Sequence, residues 1–153
     1  MREKTAMVDV TAKPEVKRSA TAQGVIRLRA ETVRAINEHR VTKGDVLTAA
    51  ELAAINAVKR TPDMVLLAHP IPITAVNVAL DVDAEPPTVT ATVTVQSLGR
   101  TGVEIEALMG VMTALLTVFD MCKYLEKDDV GQYPVTRISD VKVLRKRKGR
   151  DDL

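Results

Sequence analysis

The clearest signal along the chain is a change in hydrophobic period. Val76, Val78, Leu80 and Val82 recur at every second position, as do Val89, Ala91, Val93 and Val95. Period two marks a strand with one buried face. Thr88, Thr90, Thr92 and Thr94 fill the alternate positions of the second run and give it a polar side. Asp83-Ala84-Glu85-Pro86-Pro87 between the runs reads as a turn, so an antiparallel hairpin is expected. Ile26 and Leu28, alternating with Arg27 and Arg29, predict a short strand over 24–29. A last strand is expected over 135–145, with Val141 and Val143 inward. Residues 7–19, broken by a Lys-Pro pair, read as an irregular entry arm.

Three stretches switch to helical spacing. Val33 and Ile36 share one face of a helix expected over 31–40. Asp45 is a plausible N-cap for a second helix, on which Ala50, Ala53, Ala54, Ala57 and Val58 form a face of small residues. Pro62 is expected to push Thr61 towards extended geometry and end that helix. The longest stretch is TGVEIEALMGVMTALLTVFDMCK at 101–123, apolar except at its two tips. On a helical wheel Glu106, Gly110, Thr113, Thr117 and Asp120 fall in one narrow polar seam.

The element order is strand, one or two helices, strand, strand, helix, strand. That order predicts an α+β, ferredoxin-like (split βαβ) antiparallel sheet with helices packed on one face. One domain is expected over 1–153, with 1–6 and 149–153 flexible.

Composition narrows this further. Hydrophobic residues make up 46% of the 153 positions, which excludes disorder as a global description. Aromatics are only 2%, so the core falls to Val, Ala, Leu, Ile and Met. The run Ala107 to Phe119 is shorter than the roughly 20 apolar residues of a spanning helix, so no membrane partner is expected. No basic start followed by an apolar signal core is seen, and the single Cys122 makes no intrachain disulfide, so the cytoplasm is expected. The net charge of +2 is too small to imply nucleic acid. Its basic residues nevertheless gather at Lys13, Lys17 and Arg18, and at Lys142, Arg145, Lys146, Arg147, Lys148 and Arg150. Without interleaved aromatics this is no single-strand stacking platform; a solvated tail or a phosphate-bearing small ligand remain.

Candidate chemistry is scattered. Glu106 and Asp120 stand about 21 Å apart along one helix, so one chain cannot bring both to one small ligand. A second helix packed antiparallel about a two-fold axis near Thr113 would bring Glu104 and Glu106 opposite Asp120 and Lys123, with Gly110 and the threonines allowing close contact. Acids at a helix start and a lysine at its end equally suit the helix dipole. His69 lies in LLAHPIPIT, where two prolines fix the backbone around it; structural and functional roles balance. His39, by contrast, reads as structural. Lys43-Gly44 precede a helix N-terminus, where an anion can bind, although the full phosphate-loop pattern is missing. Two His and one Cys give no metal-ligand spacing.

Taken together, MVDVTAKPE, KGDVLTAAELAAINAVKRT, HPIPIT, TGVEIEAL and LTVFDMCK resemble the cyclic pyranopterin monophosphate synthase family, also called molybdenum cofactor biosynthesis protein C. The resemblance implies conversion of 3′,8-cyclised dihydro-GTP to cyclic pyranopterin monophosphate with release of pyrophosphate. It implies dimers assembling to a hexamer, with sites at the dimer interface. It places functional residues on Asp9, Arg18, Lys43, His69, Glu104, Ile105, Glu106, Asp120, Lys123 and Lys146. On that basis Lys43 and Lys123, crowded and partly buried, are the expected acid/base pair. Arg18 and Lys146 are assigned to the triphosphate, Glu104 and Glu106 to ring N–H donors with Ile105 through its backbone, and His69 and Asp120 to orienting water or a lysine. No cofactor is expected, with assistance by Mg²⁺ left open. A non-catalytic nucleotide- or RNA-binding module and a purely structural assembly subunit remain the competing readings.

Overall fold

The computed structural model describes residues 1–149, leaving Arg150 of the basic end and most of the segment expected to be flexible outside the described residues. Eight elements follow in order: β1 (Val16–Arg27), α1 (Ala30–Asn37), α2 (Val46–Lys59), α3 (Thr61–Met64), β2 (Ile73–Ala84), β3 (Pro87–Gly99), α4 (Glu104–Glu126) and β4 (Arg137–Lys148). The strands form one antiparallel sheet in the order β2-β3-β1-β4, the expected ferredoxin-like plan.

Hairpin and register follow from the period-two pattern. Val76, Val78 and Val82 pair directly with Val95, Val93 and Val89, so each pair shares a face of the sheet. Val89, Ala91, Val93 and Val95 are fully buried, whereas their partners on the edge strand β2 are half-buried. On the opposite side, Thr21 and Thr94 share a hydrogen bond at 2.8 Å and Gln23 Nε2 donates to Thr92 Oγ1 at 2.9 Å.

The central strand β1 begins at Val16, well inside the stretch expected to be irregular. Its inward residues are Ala20, Ala22 and Ile26, flanked on both sides by β3 and β4. Two sheet neighbours hold a strand whose own apolar signal is weak. β4 likewise runs three residues further than expected, to Lys148. Its pairing with β1 shifts twice, and Asp140 takes a left-handed φ of 56° at the irregularity. Val141 packs against the core, but Val143, expected inward, is 36% exposed. It pairs with Ala22 and shares its face, yet on this edge strand the helices do not cover it.

Asp45 caps α2 as expected: its carboxylate accepts from the Thr48 N–H at 3.0 Å and the Thr48 hydroxyl at 2.8 Å. Thr61 departs from expectation. It is buried and opens α3, with its hydroxyl donating to the Ala57 carbonyl at 3.0 Å. Pro62 at the start of a helical turn removes only an N–H that has no helical partner there.

α4 is 23 residues long, and by length and composition alone it would suit a membrane span. Here Ala107, Val111, Ala114, Leu115, Val118 and Cys122 are fully buried against the sheet and α2. Each large side chain so buried contributes about 1.5–3 kcal/mol. Gly110 and Glu106, placed in a seam between two copies by the sequence reading, turn inward instead. A side chain at Gly110 would meet Val58 and Val93 at 3.0 Å, so the glycine lets α2 and β3 approach α4 within one chain. The uncovered stripe of α4 is Ile105, Met112 and Leu116, each at least 43% exposed.

At the far end of α4, Glu126 is a buried joint. Its carboxylate accepts from the Arg29 N–H at 3.0 Å, from Thr136 Oγ1 at 2.7 Å and from the Thr32 hydroxyl. The start of α1, whose cap residue offers no side-chain acceptor, is thereby satisfied from α4. Burial, with Glu126 nearby, pushes the Cys122 thiol up to about 12, which leaves it inert.

Candidate active site

The proposed site residues fall into two groups, one at each end of α4. At the N-terminal end, only residues 100–103 separate the end of β3 from Glu104, so the first turn of α4 starts close to the sheet. A side chain at Gly102 would collide with the Glu104 carboxylate, so the glycine leaves that carboxylate room to fold back. Lys146 pairs with buried Ala20 and therefore lies on the helix side, where its Nζ comes 3.5 Å from Glu104 Oε1. Arg18, two pairs further along and so on the same face, donates from Nη2 to the Arg100 carbonyl at 3.1 Å, while its Nε is buried without a partner. A cavity of about 460 Å³ lies between these groups. Lys13, Arg18, Arg100, Lys146, Arg147 and Lys148 line it, with Glu104 as its acid.

Glu104 also belongs to the wall of a second cavity, of about 340 Å³, with Val8, His69, Ile105 and Glu106. Glu106 is 3% exposed, and burial raises its carboxyl above the ordinary 4.5, with the Glu104 charge adding to the effect. His69 Nε2 lies 2.6 Å from the Val8 carbonyl. A carbonyl only accepts, so this nitrogen carries the proton and Nδ1 is left as the other ring atom. The contact ties the entry arm to the proline-fixed loop and places Asp9 close by. The Asp9 carboxyl is held below its ordinary range by the Thr11 hydroxyl and N–H, with a smaller contribution from His69. Arg100 ties down the other end of the arm, donating from Nε to the Lys13 carbonyl at 3.1 Å.

At the C-terminal end of α4, Lys43 Nζ lies 2.9 Å from Asp120 Oδ2, and Lys123 Nζ lies 3.6 Å from Oδ1. The Lys43 contact is the main cause that lowers the Asp120 carboxyl from its ordinary value. Both lysine side chains remain about half exposed, at 49% and 44%. The crowding and burial expected around these lysines are not supplied by the single chain.

One chain therefore brings together Arg18, Glu104 and Lys146 around one cavity, His69, Glu104, Ile105 and Glu106 around its neighbour, and Lys43, Asp120 and Lys123 in a separate cluster. It does not bring the two ends together. Asp120, expected to orient water or a lysine, lies against Lys43, whereas the contacts of Arg100 with the arm were not anticipated. Arg147 and Lys148, in a segment read either as a solvated tail or as a seat for a phosphate-bearing ligand, belong to the cavity wall. Alternation along β4, which sets Lys146 and Lys148 on one side, was the available signal. Among the described residues, no group of three or more His, Cys, Asp and Glu side chains is gathered.

Fold and site define a ferredoxin-like α+β protein with cations and acids at both ends of one core helix. The chain belongs to the MoaC family, whose pattern matches residues 7–149. A protein from Methanosphaerula palustris named probable cyclic pyranopterin monophosphate synthase is 56% identical over 147 residues, covering 96% of this chain and 94% of the relative. One of the same name from Archaeoglobus fulgidus is 50% identical, covering 95% and 92%. A third, from Methanothermobacter thermautotrophicus, is named probable cyclic pyranopterin monophosphate synthase accessory protein; it is 53% identical, covering 93% and 88%. The family resemblance read from the sequence motifs is met.

Proposed function

We propose that the protein is a cyclic pyranopterin monophosphate synthase of molybdenum cofactor biosynthesis. It converts 3′,8-cyclised dihydro-GTP to cyclic pyranopterin monophosphate and pyrophosphate. A triphosphate becomes a cyclic monophosphate only if a hydroxyl of the same molecule attacks the α-phosphorus while the bond to the β-phosphate oxygen breaks. Such a substrate needs cations for the leaving pyrophosphate, acids for the ring N–H donors and a group to move protons.

The observation that carries the reading is the cavity lined by cationic residues, Arg18 and Lys146 among them, against the acids that open α4. Arg18 and Lys146 hold the polyphosphate there. Glu104 and Glu106 receive ring donors beside the Ile105 backbone, and His69 and Asp9 fix the arm that borders them. Lys43 and Lys123 are the acid/base groups, oriented by Asp120.

Because the two groups lie about 21 Å apart along α4, each active site is completed by a second copy. The exposed line Ile105–Met112–Leu116, rather than Gly110, forms the surface on which that copy packs, and dimers assemble further to a hexamer. The reaction takes place in the cytoplasm and needs no cofactor, with assistance by Mg²⁺ open. Supplying the cyclised dihydro-GTP tests the reading: cyclic pyranopterin monophosphate and one pyrophosphate per turnover are expected. A well-folded oligomer that releases neither would end it.

A further inference from the structure

The loop that carries Lys43 has few ties of its own. Val41 is buried, and the Gly44 N–H closes a turn on the Val41 carbonyl at 3.0 Å. Thr42, Lys43 and Gly44 are exposed. Gly44 sits at φ 114°, with nothing within 4 Å of where a side chain would begin. Local sequence therefore does little to fix where the Lys43 backbone points.

One side chain from outside the loop does. The Tyr124 phenol oxygen accepts from the Thr42 N–H at 2.9 Å and from the Thr42 hydroxyl at 3.1 Å. Tyr124 lies one helical turn beyond Asp120, whose carboxylate receives the Lys43 ammonium at 2.9 Å. The phenol thus grips the backbone one residue before Lys43, and the carboxylate grips its tip. The carboxylate alone is a weak tether, since an exposed ion pair is screened by water and salt. A lysine on four rotatable bonds, on an untied loop, would sample many positions.

We propose that Tyr124 is a positioning residue for Lys43: its hydroxyl fixes the loop against α4, so that the ammonium is presented at one place. This rests on the reading of Lys43 as an acid/base group. Tyr124 does not touch the reacting atoms in this account. It acts by removing freedom from a group that does.

The Tyr124→Phe variant keeps the ring and removes the acceptor, leaving the Thr42 N–H to water. Tyr124 is 44% exposed, so the change is made at the surface and the fold and oligomer are expected to persist. Turnover number is expected to fall about tenfold with KM within about twofold, because orientation of the proton-transfer group is lost and substrate binding is not. Competitive acetylation of the intact protein, read at Lys43 by mass spectrometry, should become about threefold faster as the ammonium spends less time on Asp120. Lys43→Ala is run alongside. An inactive Lys43→Ala with wild-type turnover and acetylation in Tyr124→Phe would overturn the inference. A fully active Lys43→Ala would instead remove Lys43 from catalysis. The acetylation rate would then decide alone: unchanged in Tyr124→Phe, it shows that the phenol does not hold the loop.

Discussion

The two ends of α4 carry charge in opposite ways. At the N-terminal end the helix emerges from the sheet, so its first turn is walled by β1, β4 and the arm, and Glu106 is taken almost wholly out of water. At the C-terminal end the single carboxylate of Asp120 stands between two lysines, Lys43 and Lys123, in the open. The first end has a cavity, lined by cationic residues and Glu104. The second has two lysine side chains, each about half exposed, around Asp120. In the proposed reaction each half is completed by a neighbouring copy: one end supplies shape, the other supplies lysines.

Subunit mixing gives the largest effect that tests this contrast. Lys123→Ala and Glu104→Gln, each alone, should lose about 10²–10⁴-fold in turnover. Co-refolded in equal amounts, they should regain about a quarter of wild-type turnover, since half the dimers are mixed and each holds one intact site of two. No recovery from verified mixed dimers would mean that each chain works without its partner.

The middle of α4 gives the next effect. Gly110→Ala gains about 1 kcal/mol of helix propensity. It also overpacks against Val58 and Val93, at a cost of about 1–3 kcal/mol, so a net loss of roughly 1 kcal/mol is expected in denaturant unfolding. Oligomeric state by light scattering should stay unchanged. Dissociation with unchanged subunit stability would return Gly110 to the interface.

The smallest effect concerns Glu106. Its folded carboxyl titrates above the ordinary 4.5, so the folded chain keeps a proton that the unfolded chain has already released. Its favourable contribution is complete below about pH 4.5 and is lost as pH rises through the raised value. Glu106→Gln imitates the protonated form. Thermal midpoints of variant and wild type should therefore coincide near pH 4 and diverge by pH 7, with the variant higher. A constant gap across that range would show that burial of the charge is not what sets Glu106 apart.

What could be read in advance tracks how loudly residues announce burial. The hairpin was legible because Val alternates with Thr in β3, and α2 because Asp45 is a strong cap. The first half of β1 was not, because Ala20 and Ala22 are too small to stand out from Thr21 and Gln23. The seam on α4 was misread for a related reason: glycine and threonine in a row suit contact with another copy and contact with α2 equally well, and only the position of Val58 decides. In the site, residue types and motif order named Lys43, Asp120 and Lys123. Contacts made across the chain, such as Arg100 on the arm or Tyr124 on Thr42, leave no local trace in the sequence.

The central place of β1 has a consequence for the order in which the chain matures. It is the first strand to be made, yet both its neighbours come later, β3 after three helices and β4 at the end. Until β4 arrives, one flank of β1 stands as an open edge with unpaired backbone groups. The hairpin β2–β3 has a local turn and can form early, whereas the middle of the sheet must wait for distant chain. Lys146 and Lys148 lie in that last strand. The cavity they line is therefore closed by the same event that seals the sheet, and a chain that stops short of β4 loses part of the cavity wall and the cover of the β1 edge together.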